Sequence, residues 1–118
     1  MPARLRPAPD ADVRDALAAD PASPDQTRLL VKHFLAVLAE RAPGASVEVR
    51  VPPYAAVQAV AGVRHTRGTP PAVVELDAET WIALATGALG WADAERAGRV
   101  LASGERADLS GLLPLDTP

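Results

Sequence analysis

The stretch Val73–Ser103, VVELDAETWIALATGALGWADAERAGRVLAS, decides how the rest of the chain is read. Val73, Val74 and Leu76 form a β-branched and apolar run, which predicts a buried strand. Asp77 then offers a carboxylate to the free N–H groups of a helix beginning at Ala78, with Glu79 favourable in its first turn. Trp81, Leu84, Ala85 and Ala88 recur at helical spacing and predict one apolar stripe. Gly87 and Gly90 end that helix, Ala92–Ala97 make a further turn or two, and Gly98 stops them. Arg99–Ser103 returns as a strand that Gly104 closes. The stretch contains no nucleophile motif, metal-ligand cluster or phosphate loop.

Working outward, the 118 residues suffice for one domain that buries about two-thirds of its unfolded surface. Alanine inflates the 48% apolar content, and Phe34, Tyr54, Trp81 and Trp91 are the four aromatics. These four and the Leu/Val set must therefore supply most of the core. Twelve prolines favour loops and extended joins over a helical bundle. The net charge of −3 argues against nonspecific binding of nucleic acid or an anionic membrane. With no cysteine there is no disulfide or thiol chemistry. No apolar run approaches the ~20 residues of a membrane span. The start, MPARLRPAPDAD, lacks the apolar core of a signal peptide, so a cytoplasmic location is the expectation.

Residues 1–9 read as a flexible N-terminal arm, 10–115 as one domain and 116–118 as a tail. Asp10 or Asp12 caps a short helix with Val13, Ala16 and Leu17 on one face, ended by Pro21. Ser23-Pro24-Asp25-Gln26 is a stronger start: a serine cap, proline at the first helical position and glutamine placed for a capping box. The helix runs to about Arg41 and ends at Pro43-Gly44. Leu30, Phe34, Val37 and Leu38 form its buried stripe, with Leu29 and Val31 at the edges. Val47–Val51 alternates as a strand with one wet face, and Pro52-Pro53 breaks it. Tyr54–Ala61 resumes as a strand with Val57 and Val60 on opposite faces. Residues 62–71 form a polar loop, and Ala72 begins the next strand. Residues 107–113 fit a terminal helical turn. The pattern predicts an α+β fold: an open sheet of four to five strands with helices packed mainly on one face.

Several of these residues also carry a family resemblance. Leu84-Ala85-Thr86-Gly87, then Ala97-Gly98-Arg99-Val100-Leu101 with Gly104 after the strand, resemble the turn, short helix and strand of sterol carrier protein 2-like domains. A closer resemblance, from Val47 through Leu115, is to actinobacterial "sterol carrier family" proteins. These are in turn similar to domains associated with mycothiol-dependent maleylpyruvate isomerase-like proteins. The residues that carry it are His65-Thr66-Arg67-Gly68-Thr69-Pro70-Pro71, Trp81, Ala85-Thr86-Gly87, Trp91-Ala92-Asp93-Ala94 and Ala107-Asp108-Leu109-Ser110. The resemblance implies non-catalytic binding of a lipid or other apolar small molecule between sheet and helices. On that reading Phe34, Leu38, Trp81, Leu84 and Val100 wall a hydrophobic pocket. A packed core of the same residues would have the same sequence.

The loop containing Arg64, His65, Arg67 and Thr69 offers guanidinium, imidazole and hydroxyl groups to a polar head. The plainer alternative is a solvated loop that caps neighbouring backbone or pairs with Glu75 or Asp77. His33 and His65 are the two histidines and no ligand-spaced partner accompanies either, so no metal and no cofactor are expected. Asp93 and Glu95 with Glu105 and Asp108 could suggest paired carboxylates, but Asp93 and Glu95 fit the first turn of a short helix and Asp108 a helix start. No catalytic constellation is present, and a non-enzyme is expected. The alternative function is a protein-interaction or homodimerisation module, accessory to a mycothiol-dependent or DinB-like helical enzyme. It would pair through a sheet edge or through a partly exposed Trp91.

Overall fold

The computed structural model describes residues 5–62, 72–104 and 107–115. The predicted α+β architecture is found, with four helices and an open four-stranded mixed sheet among the described residues. β1 (Val47–Val51) stands between β2 (Ala55–Ala59) and β3 (Ala72–Leu76), and β4 (Val100–Ser103) pairs with β3 at the other edge. The β1–β2 and β3–β4 pairs are antiparallel, and β1–β3 is parallel. The strand alternation decides which face meets the helices. Val47, Val49, Val51, Ala72, Val74 and Leu76 are buried, whereas Arg50 and Leu101 are exposed on the opposite face.

Helix α2 (Pro24–Arg41) begins as its sequence predicts. Ser23 Oγ accepts from the Gln26 amide at 3.1 Å, and Gln26 Oε1 accepts from the Ser23 amide at 2.8 Å. Its buried arc is wider than the expected stripe, because α2 packs against β2, α1 and α3 at once. Val31, expected at the edge, is fully buried, as is Leu35, while Val37 is only half-buried. Helix α1 (Asp10–Ala18) has Pro9 at its N-cap and no side-chain cap, so Asp10 and Asp12 lie in its first turn rather than capping it. Val13 and Ala16 are buried as expected, but Leu17 is not. Ahead of α1, the Ala8 amide donates to His33 Nδ1 at 2.9 Å, and Leu5 and Ala8 pack against the core.

β2 stops at Ala59, short of the expected Ala61, because Val60 turns into the left-handed region at φ 68°. A β-branched side chain seldom adopts that conformation. Here three hydrogen bonds hold it. The Val60 amide donates to the Ala42 carbonyl, and the Ser46 amide and hydroxyl both donate to the Val60 carbonyl. The Ser46 carbonyl accepts in turn from the Ala72 amide at 3.0 Å, so Ser46 joins the end of β2 to the start of β3.

Helix α3 (Ala78–Thr86) follows β3 directly and ends at Gly87 in the left-handed conformation, which leaves Ala88 beyond the helix and exposed. Helix α4 (Trp91–Arg96) starts one residue earlier than expected, and Trp91 is 6% exposed. It is a core residue, not a surface contact. After β4 the chain makes a hydrogen-bonded turn at residues 109–112 rather than a helix, from the Leu112 amide to the Leu109 carbonyl. Leu109 and Leu115 are buried, and the Leu115 amide donates to the Ala85 carbonyl at 2.8 Å.

Candidate functional site

The layer between helices and sheet brings together all five apolar residues singled out in the sequence. Phe34 and Leu38 reach it from α2, Trp81 and Leu84 from α3 and Val100 from β4, where it pairs with Leu76. All five are buried in one apolar cluster with the inner-face valines of β1 and β3. Helical spacing sets this up: Phe34 and Leu38 are four apart, Trp81 and Leu84 three apart, so each pair shares a face.

Three hydrogen bonds hold α3 in place. Trp81 Nε1 donates to the Val31 carbonyl at 3.3 Å, tying α3 to the middle of α2. At the start of α3, Asp77 Oδ1 accepts from the Thr80 amide at 2.8 Å, and Thr80 Oγ1 accepts from Arg99 Nε at 3.0 Å. Thr80 is the one buried polar residue among the described residues apart from the indole nitrogens, and this chain of contacts satisfies it. The Thr80 amide and hydroxyl hold the Asp77 carboxyl below its ordinary pKa, with a smaller contribution from Arg99. The sequence does not mark Thr80, and Arg99 enters it only within the Ala97–Leu101 run that carries the family resemblance, with no role given to its side chain. The Asp-x-x-Thr spacing signals the cap, but nothing local shows that a residue nineteen positions on completes it.

The five side chains are apolar apart from the Trp81 indole N–H, which suits the layer to apolar groups, and the half-buried His33 ring stands edge-on to Phe34 at its margin, 4.9 Å between ring centroids. The polar candidates Arg64, His65, Arg67 and Thr69 lie outside the described residues. Asp93 pairs with Arg96 and Asp108 accepts from the Ser110 amide, so each has a local structural role. Among the described residues no group of His, Cys, Asp and Glu is arranged to hold a metal ion, and no helix is long and apolar enough to cross a membrane.

Among the described residues, two open hollows outside the layer stand out. One, of about 370 Å³, runs over the outer face of β3 and β4 along Val73, Glu75, Leu101, Ala102 and Ser103. Leu101 is 67% exposed there. On the same face Arg50 pairs with Glu48, which raises the guanidinium pKa further, with Glu75 adding to the effect. The second hollow, of about 220 Å³, lies between α1 and α2 and is lined by Asp12, Asp15, Asp25, Ala16, Gln26 and Leu29.

The family model described as "bacterial SCP ortholog" matches residues 23–115, from the α2 capping serine to the buried Leu115. A search of the curated proteins found no match.

Proposed function

Since this chain belongs to the family of bacterial SCP orthologs, we propose that it binds a lipid or another apolar small molecule and performs no chemistry on it. The observation that supports this most directly is the layer itself. Five large apolar side chains from two helices and an edge strand converge there with no titratable group among them. Phe34, Leu38, Trp81, Leu84 and Val100 wall the ligand in this reading. An apolar molecule that slips between helices and sheet exchanges protein–protein contacts for protein–ligand contacts, so little hydrophobic burial is lost. Arg64, His65, Arg67 and Thr69 are proposed for a polar end of the ligand, and the setting is the cytoplasm.

Native mass spectrometry of freshly purified protein, compared with the denatured mass, tests the proposal. A bound species heavier by a few hundred daltons that dissociates on denaturation supports it and identifies the cargo. A clean apo mass, with no uptake of added fatty acid or sterol, overturns it.

A second reading is favoured by one observation, the exposed Leu101 on the edge strand β4. An edge with unpaired backbone and an exposed leucine suits strand pairing with a second copy or with a helical enzyme's partner surface. Its signature is a stable apo dimer, which requires on the order of 1,200 Å² of buried surface.

A further inference from the structure

We infer that the ligand of the helix–sheet layer carries a neutral hydrogen-bond acceptor, and that Trp91 Nε1 is the donor that meets it. This rests on the apolar-ligand reading above. Trp91 opens α4 and is buried in the same cluster as Phe34, Leu38, Trp81, Leu84 and Val100. Helix α4 packs on β4, the strand that carries Val100. The Trp91 indole nitrogen is sealed from solvent, yet it has no acceptor, and among the described residues it is the one buried side-chain polar atom in that state.

Its neighbours in the core show the contrast. Trp81 Nε1 donates to the Val31 carbonyl, and the Thr80 hydroxyl is engaged by Arg99. A buried indole N–H ordinarily finds a partner, because leaving it unmet forfeits its hydration with nothing in return. Phenylalanine would fill much of the same apolar volume without that penalty. A donor left open inside an otherwise saturated core is a place for an acceptor from outside the chain.

The surroundings also select the class of acceptor. Among the described residues no basic side chain is buried, so a carboxylate drawn into the layer would meet one neutral donor and no cation. A lone buried charge of that kind is strongly disfavoured. A ketone, ester or alcohol oxygen needs only the single donor. The group that meets Trp91 is thus a neutral oxygen function and not a carboxylate, distinct from any polar end that the ligand offers to Arg64, His65, Arg67 and Thr69.

The test compares three twelve-carbon probes at neutral pH: the methyl ketone, the alkane and the carboxylate, each titrated into the wild-type protein and Trp91→Phe. The expected result is that Trp91→Phe weakens ketone binding roughly tenfold while alkane and carboxylate affinities stay within about twofold. In the wild-type protein, ketone should also shift the Trp91 indole N–H signal in a proton–nitrogen NMR spectrum, with the Trp81 signal little changed. Equal losses for ketone and alkane, or no indole shift, overturn the donor role and leave apolar binding standing. A loss confined to the carboxylate overturns the neutral class. Failure of the wild-type protein to bind any probe overturns the apolar-ligand reading itself, and this inference with it.

Discussion

Arg99 Nε donates to the Thr80 hydroxyl at 3.0 Å, a contact that joins the start of β4 to the first turn of α3. Thr80 is fully buried, so its hydroxyl needs this network, whereas Arg99 is exposed and can return to water. Thr80→Val keeps the shape and removes the hydroxyl. Because water recovers only the exposed partners, the expected loss is about 1 kcal/mol, within the usual net value of one hydrogen bond. Urea unfolding measures it. A variant as stable as the wild-type protein would show that the methyl gained in the core offsets the whole network.

The same network makes stability depend on pH. The Asp77 carboxyl titrates below its unfolded value of 3.8, first because the Thr80 amide donates to it, then because the Thr80 hydroxyl does, with Arg99 adding to the effect. A depressed folded pKa stabilises the protein above the unfolded value, and that contribution is lost as pH falls through the folded value. Asp77→Ala should therefore cost about 1 kcal/mol near neutral pH, as the loss of an N-cap does. The gap between the two proteins should narrow below pH 3.8. Chemical unfolding at a series of pH values reads it directly, and a gap that does not change with pH would remove the charge from the account.

Much of this architecture is legible in the sequence where the signal is local. The Ser23 capping box, the Asp77 cap and the Val47–Val51 alternation predict three element starts that the structure shows. What escapes is set by contacts between distant segments. The parallel pairing of β1 with β3 follows from the chain crossing past β1 after the β2 hairpin, and no residue pattern marks it. Periodicity gives α2 one buried stripe, but its contacts with α1, α3 and the sheet bury Val31 and Leu35 as well. Trp91 follows a glycine at a helix start, where the sequence is equally compatible with a partly exposed contact residue and with a hydrophobic staple. The structure buries it in the apolar cluster. The burial of Phe34, Leu38, Trp81, Leu84 and Val100 was legible because each lies on an apolar face, whereas Thr80 and Arg99 are joined only by the fold.

Trp81 separates the packing of α3 from its hydrogen bond. It is fully buried, and its indole nitrogen donates to the Val31 carbonyl. Trp81→Ala removes the ring and leaves a cavity, at an expected cost of about 3–5 kcal/mol. Trp81→Phe keeps most of the apolar area and removes the donor. Since Val31 stands inside α2, its carbonyl retains the helix as a source of donors, and the expected cost is smaller, about 1–2 kcal/mol. Thermal or urea unfolding of the two variants ranks the effects. If a ligand occupies this layer, Trp81→Ala should also change the bound mass seen by native mass spectrometry, which a purely structural role would not do.

Gly44 and Gly98 test whether close packing or backbone conformation dominates at a glycine. Both have positive φ, 147° and 71° respectively. A Cβ on Gly44 would collide with the carbonyl group of Val60, against backbone held by Ala42 and Ser46. A Cβ on Gly98 would meet nothing within 4 Å. Gly98→Ala therefore carries only the left-handed backbone penalty, about 1–2 kcal/mol. Gly44→Ala adds a clash that no side-chain rotation relieves, because the atoms in the way are main chain, and the expected loss is at least about 3 kcal/mol. Unfolding midpoints for the two variants decide the matter. Equal losses would mean that the segment around Val60 yields easily, and the tie that Ser46 makes between β2 and β3 would then contribute little to holding that turn.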